Sequence, residues 1–338
     1  MLTVLDRLPP GLVEREAARL HERLSGPTLI HLPGRRPEPL FVSVLLHGNE
    51  DTGWEALRRA LGDYAGRELP RALSIFIGNV AAARAGERFL PGQPDYNRIW
   101  GIGDGPEAAM ARQVVAATAE RRPFACVDIH NNTGINPHYA CVRRLDAGGL
   151  HLASLFQRTV VHFLKPDGVL VEPFSDLCPA VTVECGRAGD AAGIAHAAEY
   201  LHACLNLSAI PAHAVPPHDI DLFHTVAIVK VPPEVSFDFV PGDADLQFAP
   251  DLDHLNFREL PAGTALARLR PGSAARLTVH DERGLDAHER FFVVRDGEIR
   301  TRLPVMPSML TWDSRAIRQD CLCYLMERHR GFYGGTLP

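Results

Sequence analysis

The stretch LFVSVLLHGNE, residues 40–50, decides the fold. From Leu40 to Leu46 every residue but Ser43 is apolar, the pattern of a strand covered on both faces of a parallel or mixed sheet. The run stops at His47, where a turn containing Gly48 begins. Ligands of open α/β sheets collect at the carboxyl ends of the strands, so His47 and Glu50 can aim at one metal ion. HxxE alone is a weak pattern. Its second copy, His196 to Glu199, lies inside the alanine-rich segment DAAGIAHAAEYLHACLNL, which reads as a helix without the further histidine of an HExxH site, and is set aside.

Outward from this strand the chain alternates between periods. PTLIHL precedes it as a strand, and a helix is expected between Leu2 and Leu24, where Leu12, Ala17, Leu20 and Leu24 follow Pro9 and Pro10 at near-helical spacing. DTGWEALRRALGDYAG reads as a helix, RALSIFIGN as a strand, PEAAMARQVVAATAERR as a helix and FACVDIHNN as a strand. LHLASLFQRTVVHFL (helix), PAVTVECG (strand) and the alanine-rich helix complete an α/β domain over residues 1–210. The expected architecture is a mixed sheet with helices on both faces.

Residues 211–273 hold nine of the 27 prolines, about twice the density elsewhere, which excludes central helices and suits edge strands and turns. FHTVAIVKV, TALARL, ARLTVHD and RFFVVRDGEIRTRL then read as short strands, and SRAIRQDCLCYLMERH as a closing helix. Residues 211–338 are thus expected to form a smaller β-rich domain ending in a helix.

Composition narrows the classes. With 338 residues, 46% hydrophobic and 22% charged, the chain is ordinary and globular rather than disordered. The net charge of −6 and the lack of a Lys/Arg-rich run argue against nucleic acid as a partner. Seven cysteines, none in a CxxC pair, argue against a disulfide scaffold or a thiolate zinc cluster. A metal here would need His and carboxylate ligands. Asp6, Glu14 and Glu16 interrupt the N-terminus, and no stretch of about 18 apolar residues occurs, so the expected compartment is the cytoplasm, with no membrane contact.

A third ligand should come from another strand end. His130 follows FACVDI, and Asp128, two positions earlier, faces the same side of that strand, placed to accept the N–H of a ligand histidine. Alone, His130 reads equally as a satisfied polar residue. Two His and one carboxylate from separate strand ends make a catalytic zinc site with an open position. Such a site needs a base, and Glu184 in VTVECG ends a buried strand, where a carboxylate must face a polar cleft unless it caps the following helix. In GERFLPGQPDYNRIW, Arg98 with Asn97 suits a substrate carboxylate, and Arg88 suits an oxyanion; each also reads as a surface residue.

HGNE, GN followed by ERF and DYNR, DIH, and VTVECG occur in this order. Together they resemble the succinylglutamate desuccinylase/aspartoacylase family, a branch of the carboxypeptidase A-like zinc hydrolases, from about Leu40 to Leu207, with a similar β-rich tail. The resemblance implies one Zn2+ per subunit on His47, Glu50 and His130, Glu184 as general base, Arg88 on the scissile carbonyl, and Asn97 and Arg98 on the substrate carboxylate. It implies a deacylase of small N-acyl amino acids or related carboxylated amides. No arginine shortly before VTVECG matches the one aspartoacylases use for a second carboxylate, which argues against aspartate as the released amino acid.

Competing readings are a metallocarboxypeptidase for short peptides, or a metal- or ligand-binding protein without turnover; a homo-oligomer is compatible with either. GIGDG at 101–105 lacks the Lys-Ser/Thr ending of a phosphate loop and reads as a turn. No GxSxG elbow is present, and Cys185 reads as inert packing.

Overall fold

The structure is a computed structural model that describes residues 1–329. Its first part runs β1 (Thr3–Leu5), β2 (Thr28–Leu32), β3 (Gly34–Val44), α1 (Thr52–Asp63), β4 (Leu69–Ile77), α2 (Val80–Ala85), α3 (Pro106–Ala119) and β5 (Ala125–Asn132). It continues with β6 (Tyr139–Val142), α4 (Ala147–Phe156), β7 (Thr159–His162), α5 (Val171–Phe174), β8 (Ala180–Arg187) and α6 (Ala191–Asn206). Then come β9 (Asp221–Lys230), β10 (Phe237–Asp238), β11 (Leu246–Phe248), β12 (Ala265–Leu269), β13 (Thr278–Asp281), α7 (His288–Phe291) and β14 (Phe292–Arg295). β15 (Glu298–Thr301), β16 (Met306–Ser308), α8 (Ser314–Gln319) and β17 (Cys323–Arg328) follow.

Twelve strands form one mixed sheet in the order β1-β2-β4-β3-β5-β8-β6-β7-β9-β17-β16, with β13 paired to β9. β3 runs parallel to β4 and β5, and β5 parallel to β8. Alternation explains why the second half of β3, Leu40–Val44, is apolar but for Ser43. Leu40, Val42 and Val44 point to the face covered by α1, α4 and α6, together with Trp54, Leu150 and Leu201. Phe41 points the other way, to α3 and α5, together with Trp100, Met110 and Phe174. The fold is the expected mixed α/β sheet with helices on both faces, joined to a second β-rich region in which β10, β11, β12, β15 and β14 make a five-stranded sheet.

Three elements differ from the sequence reading. The expected N-terminal helix is β1 plus one 3-10 turn, Ala17–Glu22. The carbonyls of Val13 and Arg15 are taken by Arg58 Nε (3.1 Å) and Trp54 Nε1 (2.8 Å) of α1, so they serve packing between elements rather than a helix of their own. LHLASLFQRTVVHFL is helical only to Phe156. Gln157 turns extended, and Val160–His162, with β-branched Val160 and Val161, pair with β6. Of the closing helix, Ser314–Gln319 alone is helical; Cys323–Arg328 pairs with β9 as a strand. Hydrogen bonding also continues past residue 210, because β7 and β9 are neighbours in the large sheet. The apolar clusters divide a little later, between Leu222 and Val226. Among the described residues no helix is long and apolar enough to cross a membrane.

α6 packs onto β8 at Gly193, where a Cβ would lie 2.1 Å from the Cys185 carbonyl oxygen. Gly193→Ala is therefore expected to push α6 off β8 and to destabilise the fold by about 1–3 kcal/mol. A lowered thermal midpoint by circular dichroism checks this; an unchanged midpoint would show that the helix slides without cost.

Candidate active site

The order β3-β5-β8 puts three neighbouring parallel strand ends side by side. β3 delivers His47 and Glu50 in the turn beyond it, β5 carries His130, and β8 carries Glu184, the register partner of His130. The chain leaves β3 through Leu45, held at φ 57°, a left-handed conformation costly for a side chain of this kind. Two backbone bonds stabilise the bend: Gly78 N–H donates to Val44 O at 3.0 Å and Asn79 N–H to Leu45 O at 2.6 Å. Gly48 is needed for a different reason. A Cβ there would sit 2.2 Å from the backbone of Ala82 and Ala83 in α2.

The two imidazoles converge on one carboxylate. His47 Nδ1 lies 2.7 Å from Glu50 Oε1 and His130 Nδ1 2.7 Å from Glu50 Oε2. Each Nε2 is held from behind, that of His47 by Asp95 Oδ1 at 3.0 Å and that of His130 by Asp128 Oδ2 at 3.0 Å. A carboxylate behind each imidazole sets its tautomer and raises its basicity as a ligand. Donor atoms of His47, Glu50 and His130 all lie within 4.8 Å of one another and are buried, so the trio can hold one metal ion. Charge supports the fit, since Glu50, Asp95, Asp128 and Glu184 crowd this buried region against Arg88. Burial disfavours the Glu50 carboxylate, but the two histidines outweigh it and hold its pKa well below the usual range.

Glu184 differs from the other carboxylates. It is buried, and its Oε2 has no hydrogen-bond partner. Burial pushes its pKa up to about 7, with His130 opposing the shift, which is where a group that accepts and returns a proton near neutrality should titrate.

One cleft is lined by His47, Glu50, Arg88, Asn97, Arg98, His130 and Glu184 together. Arg88 Nη1 lies 3.8 Å from Glu50 Oε1, while its Nε and Nη2 donate to Asp95 Oδ2 at 3.1 and 2.9 Å. Asn97 Oδ1 accepts the Leu170 N–H at 3.0 Å, and its Nδ2 lies 3.5 Å from His130 Nε2. Arg98 Nη1 donates to Asn97 O at 2.8 Å. The residues set aside stay outside: His196 Nε2, on α6, lies 2.8 Å from the carbonyl oxygen of Phe156 at the end of α4, and Glu199 is exposed.

Sequence reasoning missed two partners. Asp95 stands out only as one acidic residue among several near Arg88, although it supports both His47 and Arg88. Asp320, between α8 and β17, donates nothing to any motif, yet its carboxylate accepts from Arg88 Nη2 at 3.2 Å and Arg98 Nη2 at 2.9 Å. No spacing signal links it to residues more than 200 positions away.

Residues 39–193 match the family model described as the succinylglutamate desuccinylase/aspartoacylase catalytic domain, just under half of the chain. The succinylglutamate desuccinylase of Yersinia enterocolitica is 33% identical over 101 residues, 29% of this chain and 30% of that protein. That of Burkholderia lata is 39% identical over 87 residues, 24% of each. The chain thus spans under a third of the length of these two relatives. Among solved structures, a succinylglutamate desuccinylase/aspartoacylase from Rhodobacter sphaeroides superposes with a TM-score of 0.59 at 13% identity, covering 89% of both chains. Murine aminoacylase 3 gives 0.53 at 16% identity, covering 87% of this chain and 96% of its own. At these identities the likeness is one of fold.

If Asp128 orients His130, Asp128→Asn should weaken divalent metal binding by about 10- to 100-fold. Competition with a chromophoric chelator measures this; undiminished affinity would show that Asp128 is not needed to orient the imidazole.

Proposed function

We propose, on the premise that residues 39–193 belong to the succinylglutamate desuccinylase/aspartoacylase catalytic-domain family, that this chain is a zinc-dependent amidohydrolase. Its reaction would remove the acyl group from an N-acyl amino acid or a related small carboxylated amide. The observation that carries this reading is Glu184: a buried carboxyl without a hydrogen-bond partner on Oε2, lining the same cleft as His47, Glu50 and His130. A site that only stored metal would have no use for such a group.

His47, Glu50 and His130 would hold the cation, a His2Glu set typical of catalytic zinc. A zinc ion held there would polarise the scissile carbonyl and acidify water. Glu184 accepts the proton of the attacking water and then passes it to the departing amine nitrogen, so the carboxyl ends the cycle as it began. Arg88 offers Nη1 to the oxygen that gains charge, and its two bonds to Asp95 keep the guanidinium from turning away. Arg98, steadied by its bond to Asn97 O, takes the substrate carboxylate, with the Asn97 amide beside it. Residues 1–210 would form the catalytic unit and residues 211–338 a wall that restricts substrate size.

Glu184→Gln is expected to lower kcat by about 10²- to 10⁴-fold while zinc content stays at one per chain, measured by turnover of N-acyl amino acids beside elemental analysis. Full activity in this variant removes the mechanism. A deprotonated Glu184 is the active form, so kcat/KM should rise with pH as the carboxyl loses its proton. Burial places that loss at about pH 7, so the rise should be centred near neutrality; a limb centred above pH 8 would assign the base elsewhere. Arg98→Ala should cost at least about tenfold more in kcat/KM for carboxylated substrates than for their amide-capped analogues.

A further inference from the structure

Three cations line the cleft: Arg88, Arg98 and Lys165. Each already has an acidic partner. The Asp320 carboxylate bridges the two arginines, one oxygen 3.2 Å from Arg88 Nη2 and the other 2.9 Å from Arg98 Nη2. Arg88 carries Asp95 as well. Lys165 pairs with Asp167 and is 36% exposed, so it stands at the mouth rather than inside. Asp320 itself is anchored from far along the chain, at the junction of α8 and β17, and burial works against its charge less than Arg98 and Arg88 favour it. Most of the remaining wall is apolar, with Val161, Phe163, Val169 and Met309, and its other polar groups are the uncharged hydroxyls of Tyr139, Thr182, Thr225, Ser308 and Tyr324.

We infer that Asp320 is a specificity-determining residue: it acts as a built-in counter-ion that limits the substrate to a single carboxylate and directs the rest of the molecule, an apolar side chain, onto the Val161–Phe163–Val169 wall. This rests on the amidohydrolase reading above. A guanidinium has five N–H donors. Asp320 and Asn97 O occupy one each on Arg98, which leaves donors for one substrate carboxylate. Arg88 and Arg98 balance Asp95 and Asp320, so that first carboxylate is already an excess charge at the arginine end. A second would meet no uncommitted cation within the cleft among the described residues. It would either lie close to Asp320, like charge against like charge in a poorly hydrated space, or lose water against a wall that offers uncharged hydroxyls but no free positive charge to offset it. An aliphatic or aromatic side chain gains from that same wall.

Binding and turnover separate this inference from the reading beneath it. Zinc-loaded Glu184→Gln protein, which should bind without hydrolysing, is titrated with N-acetyl-L-leucine and N-acetyl-L-aspartate by calorimetry. N-acetyl-L-leucine should bind at least about tenfold more tightly, and adding Asp320→Asn should shrink that ratio to about threefold or less. Equal or tighter binding of N-acetyl-L-aspartate overturns the inference without any change at Asp320, which keeps the test decisive should Asp320→Asn fail to fold. A ratio unmoved by Asp320→Asn overturns it too. Hydrolysis by the unaltered protein is scored separately: its absence defeats the amidohydrolase reading, whereas the ranking of affinities judges Asp320.

Discussion

Glu50 shares one buried carboxylate between two imidazoles, 2.7 Å to each, and most of the surrounding structure can be understood as the means of keeping that triangle closed. Buried charges persist only where partners are in place, and removing one partner from such a pair costs about 3–5 kcal/mol. The partners come from three parts of the chain, so their relative placement must be rigid. The parallel pairing of β3, β5 and β8 supplies that rigidity, because its register sets Ser43 opposite Asp128 and His130 opposite Glu184. The strained Leu45 and the side-chain-free Gly48 are the local consequences: the turn must bend sharply out of β3 and then pass against the backbone of α2.

A second layer holds the first. Asp95 touches both His47 and Arg88, and Asp128 touches His130, so each ligand ring is fixed at both nitrogens. Acidic groups therefore outnumber the permanent cations at the bottom of the cleft. That imbalance is what a divalent ion would relieve, and it arises from the side chains of this protein alone. Glu184 is left out of the network on one oxygen, and burial pushes its pKa up.

The strands and their ends were legible in the sequence because two physical patterns coincide there: uninterrupted apolar runs, which only a doubly covered sheet explains, and polar residues that follow those runs immediately. His47, His130 and Glu184 are conspicuous for that reason. The amino-terminal segment and the last strand were not legible. Leu12, Leu20 and Leu24 repeat at near-helical spacing because they join the core beside the large sheet, while the Trp54 and Arg58 side chains of α1 take carbonyls that a helix would have used. Cys323–Arg328 sits in a segment with few turn residues and good helix formers, and only its pairing with β9, a contact of long sequence separation, decides for strand. Asp320 was invisible on the same ground, since a lone acidic residue carries no pattern.

Chemistry and selection consequently have different origins in this chain. Under the proposed reaction, the groups assigned to the reacting atoms sit between residues 47 and 184, most of them at strand ends whose positions are set by the core of the large sheet. The residue that balances the arginines comes from position 320, at the end of a six-residue helix, and is linked to the core through β17 and β9. A change at a strand end disturbs the triangle around Glu50 and with it the reaction as a whole. A change at position 320 alters which charges the cleft tolerates while the strand ends stay where they are. Under the proposal for Asp320, substrate range can shift by substitution at position 320 while the register of β3, β5 and β8 is kept, although the coupling is not nil, because Arg88 also donates to Asp320.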